Sequence, residues 1–173
     1  KGILRALSQR LAQTIVPRAD NTPRPGRICS VLPGGDGPID ASFANQLPEA
    51  FNKVGDWVVM DETACPEALH DDEEGMTAWL EEQETTGPNM VLLCVHAEGN
   101  DTWRKVIVEN SDSVMIAVEK TPQGGDDVPI STLEAELLGG TLRSNVQLAL
   151  YRQSSSEPTT DTARWLTHRD VAL

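Results

Sequence analysis

Aromatic side chains make up only 4% of the 173 residues, basic residues number 14 against 27 acids, and the three cysteines form no CxxC pair. Each shortage closes off a class of function. A formal charge of −13 with so few aromatics does not furnish the basic, base-stacking surface that holds DNA or RNA, so no direct nucleic acid binding is expected. Cys29, Cys65 and Cys94 are odd in number and far apart. They make no disulfide framework, which favours a reducing, cytoplasmic address. The longest apolar runs, such as Met90 to Val95, fall far short of the roughly 20 residues that cross a bilayer. Membrane contact is therefore expected only through residues 1–16 or through chain preceding Lys1. No GxSxG, HExxH or GxxxxGK[ST] pattern occurs, so no catalytic residue is assigned and no cofactor is expected.

What is present suffices for one hydrophobic core. A chain of this length buries about two-thirds of its unfolded surface and needs no metal or disulfide staple. Charge divides it sharply. Residues 1–27 carry six basic groups against the single acid Asp20, whereas the remainder holds eight basic groups against 26 acids. Within the basic segment Ile3, Leu4, Leu7, Leu11 and Ile15 recur at helical spacing, with Arg5 and Arg10 off the apolar stripe. Pro17 stops that helix, and Pro23 and Pro25 make the following stretch an extended tether. Three parts are expected: a helical arm and tether at 1–26, an acidic domain at 27–152, and a linker with a terminal helix at 153–173.

The acidic domain opens on a strand, Arg27 to Leu32, then a glycine-rich turn at 33–38, then Asp40 capping a helix that carries Phe43, Leu47, Ala50 and Phe51 on one face. Pro48 inside that pattern kinks the helix or starts a second one. A strand, a glycine turn and a helix start can grip a phosphate, but the lysine and the glycine spacing of such loops are missing, so an ordinary turn is expected. Trp57 to Met60 reads as a strand ending at Asp61 and Glu62. A helix follows, with Met76, Trp79 and Leu80 on its buried side.

Met90 to Val95, Trp103 to Glu109 and Ser113 to Glu119 read as further strands, the last two joined as an antiparallel hairpin across Asn110 to Asp112. Ser131 and Glu134 have capping-box spacing ahead of Leu137 and Leu138, and Val146, Leu148 and Leu150 suggest a last strand. The expected class is α+β: a mixed, mainly antiparallel sheet covered by helices, with an amphipathic N-terminal arm.

Function rests on charge more than on motif. Between residues 61 and 84 there are ten acids and no Lys or Arg. Asp71, Asp72, Glu73 and Glu74 fall where a helix begins and favour its dipole, but Glu81 and Glu82 fall near its end and oppose it. Acids that helix stability does not favour point to docking of a basic partner. The expected function is a non-catalytic interaction or assembly protein, a homo-oligomer or the binder of a protein partner. Leu4, Leu7, Leu11, Arg5 and Arg10 would form one contact surface and Asp71, Asp72, Glu73, Glu74, Glu81 and Glu82 the other. Two alternatives stand beside it: a small metal-dependent hydrolase holding its ion with Asp36, Asp61 and Glu62, and an acidic nucleic-acid mimic that inhibits by charge. Cys65 with His70 and Cys94 with His96 are a weaker zinc set, since no spacing brings the two pairs together.

Overall fold

Strand β1, Ile28–Pro33, is buried along its whole length. Ile28 and Leu32 enter one apolar cluster while Cys29 and Val31 enter another. A strand with apolar residues at both parities belongs in the middle of a sheet covered on both faces. The computed structural model describes residues 27–34, 37–96, 101–119, 130, 132–139 and 146–151. After β1 come the short helices α1, Ala41–Ala44, and α2, Leu47–Asn52, and then strand β2, Trp57–Asp61. Two 3₁₀ turns, Glu62–Ala64 and Glu67–Leu69, lead to α3, Glu73–Thr86, and β3, Asn89–Leu93. Helix α4, Asp101–Glu109, strand β4, Ser113–Glu119, helix α5, Thr132–Gly139, and strand β5, Val146–Tyr151, complete the order.

The five strands form one sheet in the order β2-β3-β1-β4-β5, and every neighbouring pair is parallel. This overturns the expectation of a mainly antiparallel sheet. The error begins at Trp103 to Glu109, which is helix α4 and not a strand. Its Val106-Ile107-Val108 run is β-branched and so favours a strand. Yet Trp103, Val106 and Ile107 fall at i, i+3 and i+4, and all three are buried on one helical face. With a helix between them, β3 and β4 are joined by a crossover and not by a hairpin, so they run parallel. Asn110 to Asp112 then serves as the helix-to-strand turn.

Helices cover both faces. Phe43, Leu47 and Phe51 of α1 and α2 pack with Cys29, Val31, Val91, Leu93 and Met115. On the other face Met76 and Leu80 of α3, Trp103, Val106 and Ile107 of α4 and Leu137 of α5 pack with Leu32, Met90, Leu92, Val114 and Ile116. The chain moves from β1 outward to β2 and then back across the sheet to β5. Reversing direction requires the connecting helices to change faces if each crossover is to stay right-handed, and they do. Ala117 and Met115 are as buried as Val114 and Ile116 because both sides of β4 are covered.

Local chemistry sets the element ends. Asp40 caps α1 by accepting from the Ser42 and Phe43 amides, and Pro48 opens α2, so the kink read from the sequence is a break between two helices. At the amino edge of the sheet the Asn89 carboxamide accepts from the Arg27 amide at 3.0 Å and donates to the Asp56 carbonyl at 3.1 Å. Asp112 accepts from the Ile28 amide at 2.9 Å. The start of β1 is thereby pinned to the starts of both its neighbours.

Candidate functional site

In a doubly wound sheet, ligands bind beyond the carboxyl ends of the strands, where adjacent loops depart to opposite faces. Here that point is the end of β1, whose loop turns toward α1 while those of β3 and β4 turn toward α4 and α5. The site is closed from within. The Gly34 amide donates to the Ala117 carbonyl at 2.8 Å, and the Ile39 amide to the Val95 carbonyl at 2.8 Å. The Asp40 amide donates to Tyr151 Oη at 3.0 Å, and the Tyr151 ring stacks on Phe43 with centroids 4.2 Å apart. The start of α1 is taken by the Asp40 carboxylate, which accepts from the Ser42 amide at 2.8 Å and from the Ser42 hydroxyl. These bonds hold the Asp40 carboxyl below its usual range. The Gly34, Ile39 and Asp40 amides are thus already engaged within the chain, while Gly35 and Asp36 of the glycine-rich turn lie outside the described residues.

Gly34 is a glycine for want of space. A Cβ placed on it would lie 2.2 Å from Val118 Cγ2, 2.7 Å from Ile116 Cγ2 and 3.4 Å from Glu134 Oε1. Glu134, on α5, is fully buried.

The six acids expected to form a contact surface separate into two groups. Asp72 caps α3 through a 3.0 Å bond from the Gly75 amide. Glu73 grips Lys105 of α4 with both carboxylate oxygens at 2.7 Å, and this contact raises the lysine pKa. These two serve the fold. Asp71, Glu74, Glu81 and Glu82 are exposed. Glu74, Ala78, Glu81, Glu82 and Thr85 recur along the outward side of α3, opposite buried Met76 and Leu80. No basic residue lies in its last turn. Leu4, Arg5, Leu7, Arg10 and Leu11 lie outside the described residues.

Of the three carboxylates read as metal ligands, Asp36 also lies outside the described residues. Asp61 ends β2 and its carboxylate accepts from the Thr63 amide at 3.0 Å and the Thr63 hydroxyl at 2.6 Å, starting the first 3₁₀ turn. Glu62 follows it in that turn and lies near enough to Cys94 to help raise the thiol pKa. Among the described residues, no group of three or more His, Cys, Asp and Glu side chains is arranged to hold a metal ion. The Cys65 and His70 pair folds on itself, His70 Nε2 lying 3.1 Å from the Cys65 carbonyl. Cys94 Sγ in turn contacts the His96 carbonyl at 3.1 Å.

Two features at the carboxyl edge escaped the sequence reading. Tyr151 carries no signal in the sequence, and Glu134 reads only as a capping acid, because nothing local says that α5 lies over the end of β1. Strand order and helix placement define a doubly wound α/β domain with strands two and three exchanged relative to the dinucleotide-binding order. Comparison with protein-family models, curated proteins and solved structures finds no match to this chain.

Proposed function

We propose that this domain is a non-catalytic interaction module that docks a basic segment on the outward face of α3, and that the segment is residues 1–26 of a second copy. The observation that carries this reading is the exposed pair Glu81 and Glu82 toward the carboxyl end of α3, where acids oppose the helix dipole and no basic residue lies in the last turn, with exposed Glu74 on the same outward side and Asp71 just ahead of the helix. Residues 1–26 bring the opposite charge, with Lys1, Arg5, Arg10, Arg18 and Arg24 against Asp20. Their stripe of Leu4, Leu7 and Leu11 would add apolar contact. The Gly34, Ile39 and Asp40 amides at the end of β1, engaged within the chain, lend weight to docking over phosphate binding at that point.

Light scattering on the full chain tests the reading. At about 20 mM salt the mass should exceed the 18.8 kDa of one copy, and at about 0.5 M it should fall toward that value, because exposed charge pairs are screened. The variant carrying Glu74→Gln, Glu81→Gln and Glu82→Gln should remain near one copy at both concentrations. A monomer under every condition, or an oligomer indifferent to both salt and the triple substitution, rejects the reading.

A further inference from the structure

Strand β2 lies at one end of the sheet order, and among the described residues no strand pairs with its outer side. The Met90 and Cys94 amides donate to the Arg27 and Val31 carbonyls on the β1 side. Alternation therefore turns Val91 toward β2, where it stands opposite Val59. A parallel ladder in that register uses the Val58 carbonyl and the Met60 amide, so the N–H and C=O of Val59 itself face outward. The Trp57 amide, of the same parity, also turns away from β3 and donates to Asn52 Oδ1 at 3.4 Å. Natural sheet edges are blunted by lysine, proline or a bulge. β2 has none of these: its five residues, Trp57–Asp61, pair with β3 one for one. Val58, 41% exposed, is the one exposed large hydrophobic side chain among the described residues.

Charge around this edge selects what can pair with it. Asp56 precedes the strand, Asp61 and Glu62 end it, and between Lys53 and Arg104 the sequence holds no basic residue. Lys53 is itself paired with Glu49. A second β2 turned about a two-fold axis would bring the two sets of acids together, which disfavours self-pairing. We propose that the outer edge of β2 takes up an extended segment of a protein partner as a sixth strand of the five-stranded sheet, apolar where it meets Val58 and basic at its ends. Backbone hydrogen bonds to Val59 hold the segment, and its apolar side chains cover Val58. The edge is a different surface from the outward face of α3 and stands or falls independently of the docking role.

A fluorescent peptide of alternating valine and threonine, with two lysines at each end, is the probe. Its anisotropy with the full chain in about 0.15 M salt should show saturable binding. N-methylation of every valine and threonine removes the backbone donors and keeps the charge, and it should weaken binding by about tenfold or more. Val59→Pro should weaken binding by a similar factor and leave the chain folded, because β3 does not use the Val59 amide and proline is tolerated where an edge N–H faces outward. The variant carrying Glu74→Gln, Glu81→Gln and Glu82→Gln should keep the preference for the unmethylated peptide, which separates this edge from docking on α3. Equal binding of the two peptides, binding of neither, or a folded Val59→Pro chain of undiminished affinity overturns the proposal. So does a Val59→Pro chain that loses self-association while the wild type ignores the peptide, since the edge then belongs to a second copy. Should Val59→Pro fail to fold, the comparison of the two peptides on the wild-type chain decides.

Discussion

Cys29 lies within β1, and burial pushes its thiol up to about 11; Cys94, just past β3, is likewise pushed up to about 11, by burial first and by Glu62 second. A thiol whose pKa is higher in the folded chain than in the unfolded one holds its proton more tightly when folded. Its contribution to stability is complete below the unfolded value of 9.0 and is lost as pH rises toward 11. Burial raises the Tyr151 phenol as well, which acts in the same direction. Denaturant unfolding should therefore show stability that falls steeply between about pH 9 and 11. Below that window neither thiol should react with an aromatic disulfide reagent until the chain unfolds; rapid labelling of native Cys29 or Cys94 at pH 8 would contradict the assignment. The burial of Cys94 was legible, since it stands in the apolar run Met90 to Val95. The partnership of Ser30 with Ser111 was not. Ser30 Oγ donates to the Ile107 carbonyl at 2.9 Å and meets Ser111 Oγ, joining β1 to the end of α4 across residues far apart in sequence.

At the scale of elements, α4 decides the architecture. Trp103 is fully buried beneath it, and its indole N–H donates to the Leu93 carbonyl at 3.2 Å, fastening the helix to the end of β3. Trp103→Ala removes a large core side chain and leaves that carbonyl without this donor. It should cost about 3–5 kcal/mol, enough to threaten folding, as read by urea denaturation. A loss below about 1 kcal/mol would show that α4 does not carry its face of the sheet. The strand reading of 103–109 failed because β-branched propensity is a local preference, whereas packing rewards the apolar face formed by Trp103, Val106 and Ile107. Elements with explicit end signals fared better. Asp40, Pro48 and Asp72 mark helix starts through their own backbone and side-chain chemistry, and they do so in the structure.

Across the whole molecule, the charge of −13 works against compaction. The described ion pairs, Lys53 with Glu49, Arg104 with Asp101 and Lys105 with Glu73, engage few of the 27 acids. In solutions dilute enough to keep copies apart, raising sodium chloride from about 10 mM to 0.3 M should lift the thermal midpoint by roughly 2–4 °C. A midpoint unmoved by salt would mean that repulsion between these acids is already relieved in the fold. The apolar runs at Ile28 to Leu32, Trp57 to Met60 and Met90 to Leu93 determined by themselves that these segments are strands, because such runs are stable only when covered. The caps and prolines determined where α1, α2 and α3 begin, because those signals act within a few residues. Tertiary structure alone decided that the strands run parallel, that β1 lies between β3 and β4, and that Glu134 and Tyr151 close the end of β1. Strand direction follows from the connection between strands, so one segment changing from strand to helix reverses the pairing. The contacts at the closed end join residues distant in sequence, such as Asp40 with Tyr151 and Gly34 with Ala117, which only the folded sheet brings together.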